Sequence, residues 1–338
     1  MINKIKEELS KNKYRFLKEL AKEREILFLT LGGSHAYGTA IPTSDIDIRG
    51  CAAHTIPELL GMSNFEQKID NTTDTVVYGL KKFISLCCQC NPNIIEMLGC
   101  KPEHYLSISS LGKELLDNKK LFLSKRAVQS FGGYANQQLR RLQNALARDN
   151  YPQKEKELHM LGSILTSMSS FNERFDNFED GSIKVYVDNS TNPELETEIF
   201  LDVELKHYPL RDYKNIWSDM HNIVKDYSKL NKRNHKKDDL HLNKHAMHLV
   251  RLFLMCLDIL EKEEINTYRE KDLLLLRSIR SCEFQKEDGT YKTDFFELIN
   301  ELELKLDYAK CNTSLPDHPN MKKIEQLVTD CNMKTILL

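Results

Sequence analysis

The spacing of apolar and polar residues changes several times along the chain, and each change predicts an element. Between Met1 and Glu23, Ile5, Leu9, Phe16 and Leu20 line one stripe among charges, which predicts an amphipathic helix. Ile26-Leu27-Phe28-Leu29-Thr30-Leu31 is a short continuous apolar run of the buried-strand kind. Ile46-Asp47-Ile48-Arg49 alternates apolar and charged residues, the period of a strand with one face in the core. Asp74-Thr75-Val76-Val77-Tyr78 reads as a further strand leading into a helix from Leu80 to Gln89, and Pro92 suits the first turn of the next helix. A small α/β unit therefore closes near residue 115. From Leu121 onward the pattern is mostly helical, with Phe131-Gly132-Gly133-Tyr134 expected to interrupt or join helices. Residues 183–187 and 198–205 are predicted to form an inserted β-hairpin. The expected fold class is α+β: a compact α/β core over residues 1–115 and a larger, mainly helical region over 116–338.

Chemistry concentrates where the first strand ends. Gly32-Gly33-Ser34-His35-Ala36-Tyr37-Gly38-Thr39 is followed by Ser44-Asp45-Ile46-Asp47-Ile48-Arg49-Gly50. Unpaired N–H groups at such a strand end can hold phosphates, and Gly33 lets the chain approach them closely. Ser34 adds a hydroxyl, and Gly38 permits a turn. Thr39 and Ser44 either bond phosphate or cap the segment. On a strand, Asp45 and Asp47 project to one face while Ile46 and Ile48 enter the core. Two carboxylates presented this way can share a pair of divalent cations, Mg2+ or Mn2+, about 3.5–4 Å apart, which activate an attacking oxygen and stabilise a leaving phosphate oxygen. Arg49, on the same face as Asp47, either pairs with a carboxylate or reaches substrate phosphate. The plainer alternative is a tight turn followed by an acidic edge strand.

Gly33-Ser34, Gly38 and the Ser44-Asp45-x-Asp47 ending resemble the signature of the DNA-polymerase-beta-type nucleotidyltransferase superfamily. Asn91–Leu98, Lys244–Leu252 and Thr313–Asp317 narrow the resemblance to a family of nucleotidyltransferases associated with RNA repair and RNA ligases. That resemblance implies transfer of a nucleoside monophosphate from an NTP to a hydroxyl, an RNA 3′ end in the leading reading, with release of pyrophosphate. It also implies a third carboxylate on a neighbouring strand, which orients or receives the proton of the attacking hydroxyl or completes a metal shell. Asp74, at the head of an apolar strand, is preferred to Glu96, and Asp70 is a weaker choice. Two other readings stay open: adenylylation of a partner protein, as in antitoxin-type relatives, and a catalytically silent nucleotide-binding module.

In the helical region Lys244, His248 and Arg251 follow i, i+4, i+7 and share one helix face, where they are expected to bind the nucleotide. His241, His245 and His248 share a face too, but no carboxylate or cysteine interleaves to favour a metal. With 48 basic and 50 acidic residues the chain has a formal charge of −2, so only local charge points to nucleic acid. From Asn118 to Arg148 there are seven basic residues, including Arg140 and Arg141, and no acid; a second cluster spans Lys229–Lys237. No apolar stretch is long enough to cross a bilayer, the N-terminus is unlike a signal peptide, and nine cysteines without framework spacing suit a reducing cytoplasm. Cys87 and Cys90 share a helix face, yet no second pair completes a zinc site.

Overall fold

A computed structural model of the chain describes residues 11–150, 183–191, 197–207, 239–287 and 289–337, with isolated positions at 5, 7 and 9 and between 209 and 221. The apolar run Ile26–Leu31 is strand β1. The others of its sheet are β2 (Ile48–Ala52), β3 (Gln67–Asp70), β4 (Thr75–Gly79) and β5 (Tyr105–Ile108), in the spatial order β3-β4-β2-β1-β5. β1 runs antiparallel to both of its neighbours, whereas β2 and β4 are parallel. That parallel pair sets their N-terminal ends side by side, beside the C-terminal end of β1.

The core follows from this centrality. Leu27 and Phe28 of β1 are fully buried, and Phe28 meets Phe83 and Tyr105 edge-on at 5.6 and 6.1 Å. Helix α1 (Arg15–Glu23) lays Leu17 and Leu20 against Ile48, Ala52 and Val77. The short helix α2 (Gly33–Tyr37) follows β1, and α3 (Ile56–Leu59) follows β2 behind a Thr55–Glu58 capping box. β4 runs directly into α4 (Leu80–Cys88). Pro92 opens α5 (Pro92–Ile95) with Asn91 as its cap, and α6 (Ser110–Asp117) follows β5.

The chain folds as two compact units. The first comprises Met1–Leu139, Asn243–Phe284 and Lys292–Leu338; the second comprises Arg140–Leu242 and Gln285–Tyr291. Residue 115 falls within α6 of the first unit, which also takes in four helices from the far half: α8 (Asp239–Lys262, from Asn243 onward), α9 (Leu273–Arg280), α10 (Thr293–Asn312) and α11 (Met321–Leu337). α8 is its apolar spine, with Ala246, Met247, Leu249, Val250 and Cys256 fully buried. In the second unit β6 (Ile183–Asn189) pairs antiparallel with β7 (Thr197–Val203), the hairpin expected there. Helix content dominates after residue 120, so the chain is α+β with a mixed N-terminal sheet region. Among the described residues no helix is long and apolar enough to cross a membrane.

Two local expectations are corrected. Gly132 and Gly133 do not break the chain: α7 runs unbroken from Arg126 to Asn150. Phe131 and Ala135 anchor it in the core, and a 25-residue helix absorbs a cost of about 1 kcal/mol per glycine. Asp45 and Asp47 are not both on a strand, because β2 begins at Ile48. Only from Ile48 does the backbone find ladder partners on both sides, Leu31 of β1 and Thr75 of β4.

Candidate active site

Register assembles the site. Leu31 pairs with Ile48 and Ile48 with Thr75, so the segments adjoining these residues meet at one edge of the sheet. They are the Gly32–Thr39 loop, Asp47 and Asp74. The Gly32 N–H donates to the Asp47 carbonyl at 2.9 Å, and the Ile48 N–H donates to the Asp74 carbonyl at 3.2 Å. Gly33 has φ +54°, and a Cβ built there would lie 1.9 Å from Asp47 Oδ2. Only glycine lets that carboxylate rest against the loop. Gly38 closes α2 with φ +76°, where a Cβ would strike the Tyr268 ring at 2.4 Å. Asp74 also has a left-handed backbone, φ +44°, a conformation Asp tolerates better than most residues and one that marks turns and functional sites.

The two carboxylates share one arginine. Arg49 Nη2 lies 3.0 Å from Asp74 Oδ1 and 3.5 Å from Asp47 Oδ1, and Nη1 donates to the backbone carbonyls of Ile48 and Asp74. Burial, with the hydrogen bond to Asp74, pushes the Asp47 carboxyl up to about 7, while Arg49 opposes the shift. The same hydrogen bond, together with Arg49, holds Asp74 below the usual carboxylate range. Asp47 therefore titrates close to neutral pH, whereas Asp74 is ionised there. Lys244 faces both carboxylates and favours their charged forms.

This donor pair suits a hard divalent cation. Mg2+ is commonly bound by one or two carboxylates, with water and substrate phosphates completing its shell. A half-buried carboxyl whose pKa is pushed up towards neutrality is a place where added positive charge is favourable. Among the described residues no three His, Cys, Asp or Glu side chains converge on one point, so the donors that meet are two. Asp45 stands apart, exposed in the segment before β2.

Beside this pair lies a second, buried cluster. Glu96 accepts hydrogen bonds from Tyr37 OH at 2.8 and 3.0 Å and from Arg251 Nη1 at 3.0 Å. The Arg251 guanidinium lies over the Tyr37 ring at 3.6 Å, and His248 meets that ring edge-on at 5.7 Å. Glu96 and Arg251 are both buried. Burial and the positive charges of Arg251 and Lys244 hold His248 well below its ordinary pKa, so its ring is neutral. The shared face of Lys244, His248 and Arg251 thus grades from the exposed end at Lys244 to the interior at Arg251, whose charge already has a carboxylate partner.

The remaining residues fall as follows. Ser34 is half-buried, and its hydroxyl has no partner among the described residues. Ser44 Oγ accepts from the Ile41 N–H at 2.9 Å and so caps its own turn. Thr39 Oγ1 is buried without a partner among the described residues. Asp70 accepts from Thr72 and Thr73, which closes the turn before β4. Arg140 and Arg141 sit on α7 with side chains outside the described residues, as does the whole Lys229–Lys237 cluster. Lys125 and Arg126, at the start of α7, line a groove of about 590 Å³ together with Gln129 and His318. Lys125 pairs there with Asp317 at 2.9 Å, and Arg126 Nε donates to His318 Nδ1 at 3.2 Å. Sequence reasoning did not single out Tyr37, Arg277 or Arg280 as site residues. Arg277 donates twice to the Gly38 carbonyl, at 2.9 and 3.0 Å, from 239 positions away. The signal available was an Arg-x-x-Arg pair that ends an apolar helix.

Comparison with known proteins places this geometry in context. The model of the RNA repair pathway DNA polymerase beta family, RlaP, matches residues 1–170, half of the chain. An uncharacterized 38.9 kDa protein from the nrdC-mobD intergenic region of Enterobacteria phage T4 is 27% identical over 166 residues, covering 45% of this chain and 46% of the relative. The chain thus spans about half the length of the curated relative it matches. No solved structure matches.

Proposed function

Because the chain belongs to the RNA repair pathway DNA polymerase beta family, we propose that it transfers a nucleoside monophosphate from an NTP to the 3′ hydroxyl of an RNA and releases pyrophosphate. The observation that carries this reading is the meeting of Asp47, Asp74 and the Gly33-Ser34 loop at one sheet edge.

Asp47 and Asp74, the two carboxylates that meet, would hold Mg2+ or Mn2+. When bound, such a cation lowers the pKa of an attacking hydroxyl and neutralises charge on the phosphates. The chain's own groups then have distinct tasks. Ser34 Oγ and the N–H groups of the Gly33–Ser34 turn bind phosphate oxygens. Lys244 offsets the charge that accumulates beside the two carboxylates, and neutral His248 borders the same face as a hydrogen-bonding group. Asp74 takes the proton of the acceptor hydroxyl as its oxygen bonds to the α-phosphorus. The bond from that phosphorus to the bridging oxygen breaks, and the electron pair leaves with pyrophosphate. Arg251 and Glu96 stay out of the chemistry and fix Tyr37 behind the loop. Arg49 keeps Asp47 and Asp74 together before substrate arrives.

The RNA acceptor is supported by the family's pathway and by the Lys125–Arg126 groove. An RNA ligase, which seals ends that such an enzyme prepares, is the partner this reading favours. Incubation with labelled NTPs, Mg2+ and total RNA tests it, and label is expected on RNA. Label on protein instead would favour the antitoxin-type reaction, and nucleotide bound without transfer would favour a silent module.

A further inference from the structure

Arg280 has no counter-charge among the described residues. Its Nε and Nη1 are buried without a hydrogen-bond partner among the described residues. Burial lowers its pKa, the direction expected of a cation with too little solvent or anion around it. Arg280, Lys244, His245 and Arg251 all contribute positive potential at His248. Its helix α9 is tied to the phosphate-type loop, since Arg277, one turn earlier, holds the Gly38 carbonyl, and a Cβ at Gly38 would lie 3.1 Å from Leu273 Cδ1. The loop contributes unsatisfied polar atoms of its own, His35 Nδ1 and Thr39 Oγ1. Two buried guanidinium nitrogens without partners are costly, and a bound anion is one way to satisfy them.

We propose that Arg280, with Lys244 and the Ser34–Thr39 loop, forms a polyphosphate subsite that receives phosphate groups of the NTP. This rests on the reading that the loop binds a nucleotide. It adds a ligand-binding residue far from the sequence motif, and it assigns Arg277 the positioning task of setting that loop's carbonyl. Arginine suits the role because its planar fork can give two parallel hydrogen bonds to one phosphate.

The test compares the full-length protein with Arg280→Met and Arg280→Lys in EDTA. The melting temperature and equilibrium binding are read with tripolyphosphate and, separately, with a short single-stranded RNA. An unpaired buried charge and a structural ion pair predict opposite signs. If Arg280 awaits an anion, Arg280→Met alone melts at or above the wild-type temperature. Its tripolyphosphate affinity falls about ten- to a hundredfold, the value of hydrogen bonds to a charged group. Arg280→Lys keeps the charge without the fork and falls between the two. RNA affinity stays within about twofold in both variants. Unchanged tripolyphosphate affinity in Arg280→Lys, with a lower melting temperature in Arg280→Met, overturns the proposal in favour of a structural arginine. Loss of RNA affinity with tripolyphosphate binding intact overturns it as well, since the phosphate would then be the acceptor's. Binding is measured without metal or acceptor, so it is separate from turnover. Arg280-dependent binding in a protein that transfers no nucleotide would leave this inference standing and remove the proposed activity.

Discussion

Arg251→Met separates a structural arginine from a nucleotide-binding one. The Arg251 and Glu96 side chains are 4% and 9% exposed and lie 3.0 Å apart. Methionine keeps most of the apolar stem but leaves the Glu96 carboxylate in the interior with the Tyr37 hydroxyl as its remaining side-chain partner. Breaking a buried pair from one side costs about 3–5 kcal/mol. For a domain of 150–250 residues, each kcal/mol shifts the melting temperature by about 2–4 °C, so a loss of about 6–20 °C is expected. Glu96→Gln combined with Arg251→Met leaves no buried charge and should regain much of that loss. Tyr37→Phe should cost about 1.5–3 kcal/mol, as hydrogen bonds to a charged acceptor do. The assay is thermal or urea unfolding of the four proteins, with NTP binding measured well below each midpoint. A variant Arg251→Met that melts within about 2 °C of wild type and binds NTP far more weakly would refute the reasoning and return Arg251 to the phosphate site.

Gly33→Ala should force Asp47 away from the loop, since its Cβ would lie 1.9 Å from Oδ2 at a φ of +54°; steady-state kinetics should show weaker use of every NTP alike, and normal kinetics would count against the assembled site. Asp47 carries a raised pKa of about 7, so the folded state binds more protons than the unfolded chain between its ordinary pKa and about 7. Its favourable contribution is therefore complete at low pH and is lost as pH rises through about 7, and Asp47→Asn should flatten that part of a metal-free melting-temperature profile while lowering transfer about a thousandfold or more. A profile of unchanged slope would mean that Asp47 does not hold the proton. Lys125→Ala with Arg126→Ala should weaken RNA binding, leave NTP binding intact and flatten the salt slope by about one unit per lost phosphate contact. Equal loss at all salt concentrations would place RNA elsewhere.

What was legible in the sequence was local. β1, β4, the Pro92 helix and the β6–β7 hairpin each rest on a period and its punctuation within a few residues, and all appear. The Gly-Ser and Asp-x-Asp segments stood out for the same reason, and the sheet brings Gly33 and Asp47 together with Asp74. What failed depends on partners. Alternation suggested that Asp45 and Asp47 share a strand face, but a strand exists only where neighbours supply hydrogen bonds, and these begin at Ile48. Helical spacing put Lys244, His248 and Arg251 on one face without revealing how that face sinks inward. Spacing carries no information about Glu96, the partner 155 positions away.

The same limit explains why Arg280 escaped notice and why it bears on specificity of the fold. Its helix is apolar enough to be read as core, and Leu276 and Ile279 are fully buried. An arginine placed among them raises the energy of the ligand-free protein unless something offsets its charge. Arg49 illustrates the opposite solution at the same site: its positive charge is matched by Asp47 and Asp74, and it holds the carboxylates ready. One arginine thus satisfies the acidic side of the site, while the other leaves the basic side unsatisfied. A site built from a partly protonated acid pair and an uncompensated guanidinium is electrostatically complementary to a cation bound to a polyphosphate, and to neither charge alone. On that argument, metal and tripolyphosphate should bind with positive coupling, each tightening the other by the same factor, and Arg280→Met should reduce the coupling as well as the affinity.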